Sequence, residues 1–168
     1  MKRYILSIIV ENNPGVLARV SSLFGRRGYN IDSLTVSETH NPGTSNITLT
    51  VTGDERILEQ IIKQLNKLIE VISVKHLADN YALTRELLLI KVKIDSAIRT
   101  ELREISDIYQ ASIVDLAPES MMIELTGTTQ KIDAFLQNLR NYTILEMCRT
   151  GVTALERDSV KPATEKIN

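Results

Sequence analysis

Two spacings of apolar residues alternate along the first half of the chain. Runs that are rich in β-branched residues, or that alternate apolar with polar positions, predict strands over residues 4–10, 31–38, 47–52 and 71–77. Between them, apolar residues three and four positions apart predict one helix from Val16 onward and a second over residues 55–68. The predicted order is therefore strand, helix, strand, strand, helix, strand.

The segment that joins the first strand to the first helix carries signals of a helix start. Asn12 or Asn13 can cap the helix with its side chain. Pro14 suits a first turn, because its missing N–H would have no intrahelical partner there. At the other end, Gly28 can adopt the left-handed conformation that terminates many helices. These signals predict a helix that begins within a few residues of Pro14 and ends before Gly28.

The same order of elements repeats in the second half. Thr52-Gly53 recurs as Thr126-Gly127. At the same shift of 74 residues, five apolar residues of the first half correspond to apolar residues of the second. Leu58, Ile61, Ile62, Leu65 and Val71 correspond to Ile132, Phe135, Leu136, Leu139 and Leu145. Upstream, strand, helix, strand and strand are predicted over residues 87–94, 98–108, 112–116 and 121–126.

Two βαββαβ units are the simplest interpretation of this repeat. It predicts an α+β fold of two ferredoxin-like βαββαβ domains in tandem, over residues 1–78 and 79–157. Residues 158–168 lack periodicity, which predicts a flexible tail.

Composition and charge narrow the range of partners. The chain has 168 residues, of which 43% are hydrophobic and 24% charged, as expected of a folded globular protein. Its formal net charge of −1 argues against a nucleic acid or a membrane surface held mainly by electrostatics. The basic and then apolar start is too short for a secretory signal, and no stretch could span a bilayer, so we expect a cytoplasmic protein.

Candidate catalytic residues are few. His40 and His76 have no neighbouring nucleophile, and no nucleotide-binding, serine-hydrolase or metalloprotease motif occurs. The single cysteine, Cys148, lies in an apolar run, which predicts a buried, inert thiol and no cysteine-based metal site. An RNA-recognition module is disfavoured, because the strand over residues 47–52 has no aromatic residue on which a base could stack. An enzyme that acts alone is therefore not expected.

Residues 11–17, with the sequence ENNPGVL, are the most informative segment. Free backbone N–H groups and the helix dipole at such a helix start can bind a carboxylate. Gly15 lets a ligand approach the backbone, and Asn12 offers both a donor and an acceptor, which suits an amino acid. A plain helix cap with a glycine turn would use the same residues, so the spacing leaves both interpretations open. Residues 94–97 of the second half lack this set, so ligand binding is expected in the first half only.

These residues resemble a known family. The segments that resemble the ACT domain and following region of the acetolactate (acetohydroxyacid) synthase small subunit are residues 11–17, 24–31, 33–36, 59–68, 85–87 and 149–152. The run NPGVL occurs across many ACT domains, and its combination with RGYNI at residues 27–31 is more specific. The resemblance covers nearly the whole chain and implies that the first domain is an ACT domain.

The resemblance also implies a homodimer in which the ACT domains pair sheet edge to sheet edge, with valine or another branched-chain amino acid at the seam. The effector-binding residues that it implies are Asn12, Pro14, Gly15, Val16 and Leu17 from one copy and Asn30 and Ile31 from the other. Ala18 departs from the small hydroxyl residue that some relatives have at this position.

The function implied is that of a regulatory, non-catalytic subunit. Such a subunit activates the catalytic large subunit of acetolactate synthase and confers feedback inhibition by valine in branched-chain amino acid biosynthesis. The cofactors thiamine diphosphate, magnesium and FAD belong to that catalytic partner, and none is expected in this chain. A free-standing ACT-type amino-acid sensor that controls a different enzyme or a transcription factor is the alternative. The polar face of the second helix, with Glu59, Lys63 and Lys67, either contacts the catalytic subunit or is solvated.

Overall fold

The computed structural model describes residues 2–78 and 81–158 of the chain, which form two compact units. Residues 2–78, 81–83 and 152–158 belong to the first unit, and Thr84–Gly151 form the second. The division expected from the sequence lies after residue 78 and assigns residues 152–157 to the second domain, so the two divisions differ at both ends of the second unit. The tail predicted at residues 158–168 lies, apart from Asp158, outside the described residues.

The first unit is a βαββαβ fold with both helices against one face of an antiparallel sheet. Its elements are β1 (Lys2–Glu11), α1 (Val16–Arg26), β2 (Ser33–Glu38), β3 (Thr44–Gly53), α2 (Glu55–Leu65) and β4 (Val71–Leu77). The strand order β2-β3-β1-β4 makes β2 and β4 the sheet edges. Alternate residues of the central strand β1 are buried in the core with residues of both helices: Tyr4, Leu6, Ile8 and Val10. Burial of each such aliphatic side chain stabilises the fold by about 1.5–3 kcal/mol.

The second unit repeats this topology. Its elements are β5 (Ala82–Lys93), α3 (Ser96–Tyr109), β6 (Ser112–Leu116), β7 (Ser120–Gly127), α4 (Thr129–Asn138) and β8 (Ile144–Arg149). The strand order β6-β7-β5-β8 is that of the first sheet, with corresponding strands in corresponding places. Gly53 and Gly127 end equivalent strands. A Cβ at Gly53 would lie within 3.3 Å of the Ile57 side chain, and a Cβ at Gly127 would lie as close to the side chain of Lys131. The predicted tandem α+β fold is therefore confirmed.

A short strand, β9 (Thr153–Glu156), was not expected from the sequence. Val152 and Ala154 are buried with Ile5 and Leu77 in a small apolar cluster of the first unit. The N–H of Val152 also donates to Ser33 Oγ at 3.4 Å. Four residues are too few for a periodic signal, so only the tertiary fold reveals this strand.

The prediction of a buried Cys148 is wrong, because this thiol is exposed. Cys148 lies opposite Leu89 on β8, which is an edge strand of the second sheet. The neighbouring residues of β5 that enter the core with α3 and α4 are Leu88 and Ile90, so Cys148 lies on the other face of the sheet. An apolar run predicts a strand, but whether a residue in it is buried depends on which face the helices cover.

Candidate functional site

Backbone hydrogen bonds hold the start of the loop between β1 and α1, residues 12–15, and the space beside its last residue is open. The N–H of Glu11 donates to the carbonyl of Glu70 at 2.9 Å, and the N–H of Asn12 donates to the carbonyl of Gly43 at 2.8 Å. Gly15, immediately before the helix, has φ of +85°, a left-handed conformation that favours glycine. A Cβ at Gly15 would meet no atom within 4 Å, so the space beside it can admit a ligand.

The prediction that Asn12 or Asn13 caps α1 is wrong. The residue at the N-cap position is Gly15, and no side chain makes a capping hydrogen bond to this helix. The amide of Asn13 instead donates to the Glu11 carboxylate at 2.9 Å, and that of Asn12 makes a long hydrogen bond of 3.5 Å to Glu38 Oε1 at the end of β2. Glu38 lies near this loop because of the register of β2 on β3. No local spacing in the sequence indicates that register.

The first turn of α1 consequently keeps backbone donors without a side-chain acceptor in the described part of the chain. The N–H of Val16 makes only a long hydrogen bond of 3.4 Å, to the carbonyl of Asn13. No acidic residue lies in this first turn. Exposed N–H groups and the positive end of the helix dipole together favour an anion at this position.

Of the two aliphatic residues that begin the helix, only one has a side chain available to a ligand. Val16 is 5% exposed and packs in the core of the first unit, so it can offer a ligand little more than its backbone. Leu17 is 41% exposed, so its side chain is available for contact with a ligand. Pro14 is exposed in the loop.

Asn30 and Ile31 lie at the other end of the sheet. The N–H of Asp32, the next residue, donates to the carbonyl of Thr50, and Thr50 lies opposite Ile5. The loop follows Glu11, six residues further along β1, so about 20 Å of strand separates the two places within one copy. The structure brings together Asn12, Pro14, Gly15, Val16 and Leu17 but not Asn30 and Ile31.

The charges around the loop include residues of both signs. Glu11 and Glu38 contact the two asparagine amides. Arg19, in the second turn of α1, forms an ion pair with Glu70, whose carbonyl also holds the start of the loop. The loop therefore combines a helix start that favours a carboxylate with nearby carboxylates that favour an ammonium group. Sequence reasoning identified the helix start but missed Glu38 and Glu70, which only strand pairing brings there.

A separate ionic cluster lies inside the second unit. Glu86 is almost fully buried, and its carboxylate accepts hydrogen bonds from Arg149 Nε and Thr129 Oγ1. Arg149 Nη1 also donates to Asp133 Oδ1 at 2.7 Å. Burial lowers the pKa of the Arg149 guanidinium, but the hydrogen bonds and charges of Glu86 and Asp133 outweigh it and raise that pKa above its usual value. The cluster is internally satisfied, which indicates a structural role.

His40 and His76 are both exposed. Within residues 2–78 and 81–158, no group of three or more histidine, cysteine, aspartate or glutamate residues could hold a metal ion. In the same part of the chain, no helix combines the length and apolar character needed to cross a membrane.

Comparisons with known proteins cover both units. The profile described as "AHAS small subunit-like ACT domain" matches residues 6–73, and that described as "Small subunit of acetolactate synthase" matches residues 85–158. The probable acetolactate synthase small subunit of Methanothermobacter thermautotrophicus is 48% identical over 93% of this chain and 94% of its own. The acetolactate synthase isozyme 3 small subunit of Escherichia coli K12 is 42% identical over 92% of this chain and 96% of its own.

A solved structure agrees with these relatives. The crystal structure of the acetolactate synthase small subunit from Thermotoga maritima matches with a TM-score of 0.88 and 38% identity, over 94% of this chain and 98% of the other. The fold and the loop thus define a class of protein with tandem ferredoxin-like domains, of which the first is an ACT domain. Within that class, the chain belongs to the family of acetolactate synthase small subunits, and the resemblance drawn from the sequence is confirmed.

Proposed function

We propose that this chain is the non-catalytic, regulatory subunit of an acetolactate synthase, acting in the cytoplasm. It activates a separate catalytic large subunit and confers feedback inhibition by valine or another branched-chain amino acid. The observation that carries the proposal is similarity to acetolactate synthase small subunits at 42–48% identity over more than nine tenths of the chain. The uncapped, open start of α1 supplies a matching ligand site.

The effector is a zwitterion with a small branched side chain. Its carboxylate binds the exposed N–H groups at the start of α1, in the open space beside Gly15. Its ammonium group lies near the Glu38 carboxylate, to which the Asn12 amide nitrogen donates at 3.5 Å, and near the Asn12 side-chain oxygen, which can accept from it. The exposed side chain of Leu17 supplies an apolar contact. A simple anion would be repelled by Glu38, so the arrangement favours an amino acid over a phosphate or a carboxylic acid.

Two copies of the chain complete the site. The edge strand β2 pairs with β3 alone within the described residues, so its outer backbone groups can pair with β2 of a second copy. If the two strands pair antiparallel about a two-fold axis near Thr35 and Val36, Glu38 of one copy lies opposite Ser33 of the other. Asn30 and Ile31 precede Ser33 and would then approach the loop of the neighbouring copy, although about 20 Å of strand separates them from the loop of their own copy.

Regulation then follows from linkage. An amino acid bound across the dimer seam inhibits only if it binds one arrangement of the assembly more tightly than another. The catalytic partner holds thiamine diphosphate, magnesium and FAD and performs the reaction. The residues of this chain bind the effector and transmit its binding energy to the partner.

The proposal is tested by mixing the purified chain with the catalytic subunit of the same source and measuring acetolactate formation with and without valine. We expect stimulation of the catalytic subunit and inhibition by valine only in the mixture, and no turnover by the isolated chain. Calorimetry with valine, leucine, isoleucine, serine and lysine identifies the effector. Absence of both stimulation and co-purification, with amino-acid binding retained, would favour the free-standing sensor instead.

A further inference from the structure

A groove on the outer side of the two helices of the first unit is lined by cations. It has a volume of about 610 Å³ and lies between α1 and α2. Its lining residues, hereafter the basic groove, are Arg19, Leu23, Arg26, Arg27, Gln64, Lys67 and Leu68. None of the described residues that line this groove is acidic. Gly15 is not among these lining residues, but the N–H of Arg19, which lines the groove, donates to the Gly15 carbonyl at 3.0 Å.

Three of the four cations have no carboxylate partner within the structure as described. Arg19 pairs with Glu70, whereas the ion pairs found include none of Arg26, Arg27 and Lys67, all of which are exposed. The chain as a whole has a net charge of −1, so this concentration of positive charge is local. Arg26 and Arg27 lie at the C-terminal end of α1, where the helix dipole stabilises a cation. Lys67 lies just beyond the C-terminal end of α2, so the helix dipoles favour all three cations, but they do not account for the lack of an acidic residue among the described residues of the two walls.

The shape and lining of the groove select the kind of ligand. Arg19 and Arg27 are eight residues apart on α1, a distance of about 12 Å, which is longer than a single phosphate can bridge. Leu23 and Leu68 are half-buried and form an aliphatic floor. Among the lining residues that the structure describes, none is aromatic, so a nucleobase would have no side chain to stack on. The three unpaired cations are at or beyond helix C-termini, where backbone N–H groups are not free to bind a small anion. These features fit a protein segment with several carboxylates and an aliphatic side.

We propose that the basic groove is a docking surface for a carboxylate-bearing segment of the catalytic large subunit. This inference rests on the proposed function, since it names where that partner binds. Guanidinium groups bind carboxylates in a bidentate manner, and their attraction accelerates association at low ionic strength. The groove lies on helices, whereas the effector site lies at a loop of the same α1, so a shift of α1 can connect the two events.

The test compares two triple variants of the full chain. Arg26→Gln/Arg27→Gln/Lys67→Gln removes the unpaired cations of the groove. Arg56→Gln/Arg103→Gln/Arg140→Gln removes the same charge from three exposed arginines outside the groove, for which no ion pair is found. The Kd for the catalytic subunit is measured by calorimetry at 50 mM and 500 mM KCl, together with valine binding by each variant alone.

We expect the groove variant to raise the Kd for the catalytic subunit by about 3- to 125-fold at 50 mM KCl, since three exposed ion pairs are lost and each changes an equilibrium constant by roughly 1.4- to 5-fold. The control variant should change that Kd by less than about twofold, and the difference between the two should shrink at 500 mM KCl because salt screens exposed charges. Valine binding by the isolated groove variant should be unchanged, which also shows that it is folded.

Two results would overturn the docking surface. One is that the groove variant binds the catalytic subunit with the same Kd as the wild-type chain at 50 mM KCl, in conditions where the wild-type chain binds and stimulates that subunit. The other is groove-dependent binding of tripolyphosphate that does not compete with the catalytic subunit, which would identify a site for a small anion. If the wild-type chain itself fails to bind and stimulate the catalytic subunit, the proposed function fails first, so the two failures are distinguishable.

Discussion

Gly15 offers the sharpest test of the ligand site, because a new side chain has open space there while the backbone conformation is unfavourable for any residue but glycine. The space for a side chain is open, since a Cβ would meet nothing within 4 Å. The backbone, at φ of +85°, is in the region where an L-residue costs about 1–2 kcal/mol, with aspartate and asparagine at the lower end. A carboxylate at this helix start would return about 0.3–1 kcal/mol through the dipole. We therefore expect Gly15→Asp to fold, with a loss of stability below about 2 kcal/mol.

The effect of Gly15→Asp on ligand binding should be much larger. Its carboxylate would occupy the position that the ligand carboxylate needs, beside the exposed N–H groups of α1. Two negative charges about 4 Å apart repel by about 1 kcal/mol in bulk water and about 4 kcal/mol at the effective dielectric constant of a protein surface. The valine Kd should thus rise between about 5-fold and 1,000-fold, and feedback inhibition should be lost while stimulation of the catalytic subunit persists.

Gly15→Asn is the matched control for this substitution. It has nearly the same size and backbone demand as Gly15→Asp but no charge, so the difference between the two variants isolates electrostatic repulsion. The assays are calorimetry with valine, urea unfolding for stability, and the valine concentration that halves the activity of the mixed enzyme. A Gly15→Asp variant that binds valine within twofold of the wild-type Kd would refute the placement of the ligand carboxylate.

Three further predictions concern other parts of the chain. Asn30→Ala should weaken valine binding by the dimer without lowering stability, as calorimetry and urea unfolding can measure; an unchanged Kd would remove Asn30 from the site. Glu86→Ala should lower the free energy of unfolding by about 3 kcal/mol, because it leaves Arg149 partly buried without its main partner. Asp133→Asn, at the exposed end of the same cluster, should cost under about 1 kcal/mol, and equal losses for the two variants would contradict this account. Cys148 should react with a thiol reagent in the native chain, and a thiol that reacts only in denaturant would show that its surface is covered.

Much of the fold could be predicted because its signals are local. The apolar period of two in β3 and of three to four in α2, together with the repeat around Gly53 and Gly127, indicates the element order without any tertiary information. The observed limits differ from the predicted ones by a few residues: β3 is longer than predicted, whereas β2 begins at Ser33 and α2 ends at Leu65, inside their predicted ranges. Periodicity marks the apolar middle of an element better than its limits.

The loop between β1 and α1 shows which features the local sequence does not predict. The sequence of residues 11–17 indicates a helix start that leaves backbone N–H groups free, but the left-handed conformation of Gly15 is known only from the structure. The same residues suggested asparagine caps, yet Asn12 and Asn13 bind Glu38 and Glu11 instead. A side chain that can cap a helix can equally hydrogen-bond to a residue that strand pairing places nearby. The local sequence does not distinguish these two outcomes.

The sequence by itself determined the order of elements, the tandem repeat, the position of the helix start and the family. Only the tertiary structure decided the surroundings of individual side chains. It separated Asn30 and Ile31 from the loop, exposed Cys148, added β9 and buried Glu86 beside Arg149. The physical reason is that periodicity depends on neighbours within one element, whereas burial and ion pairing depend on strand register and on which face another element covers.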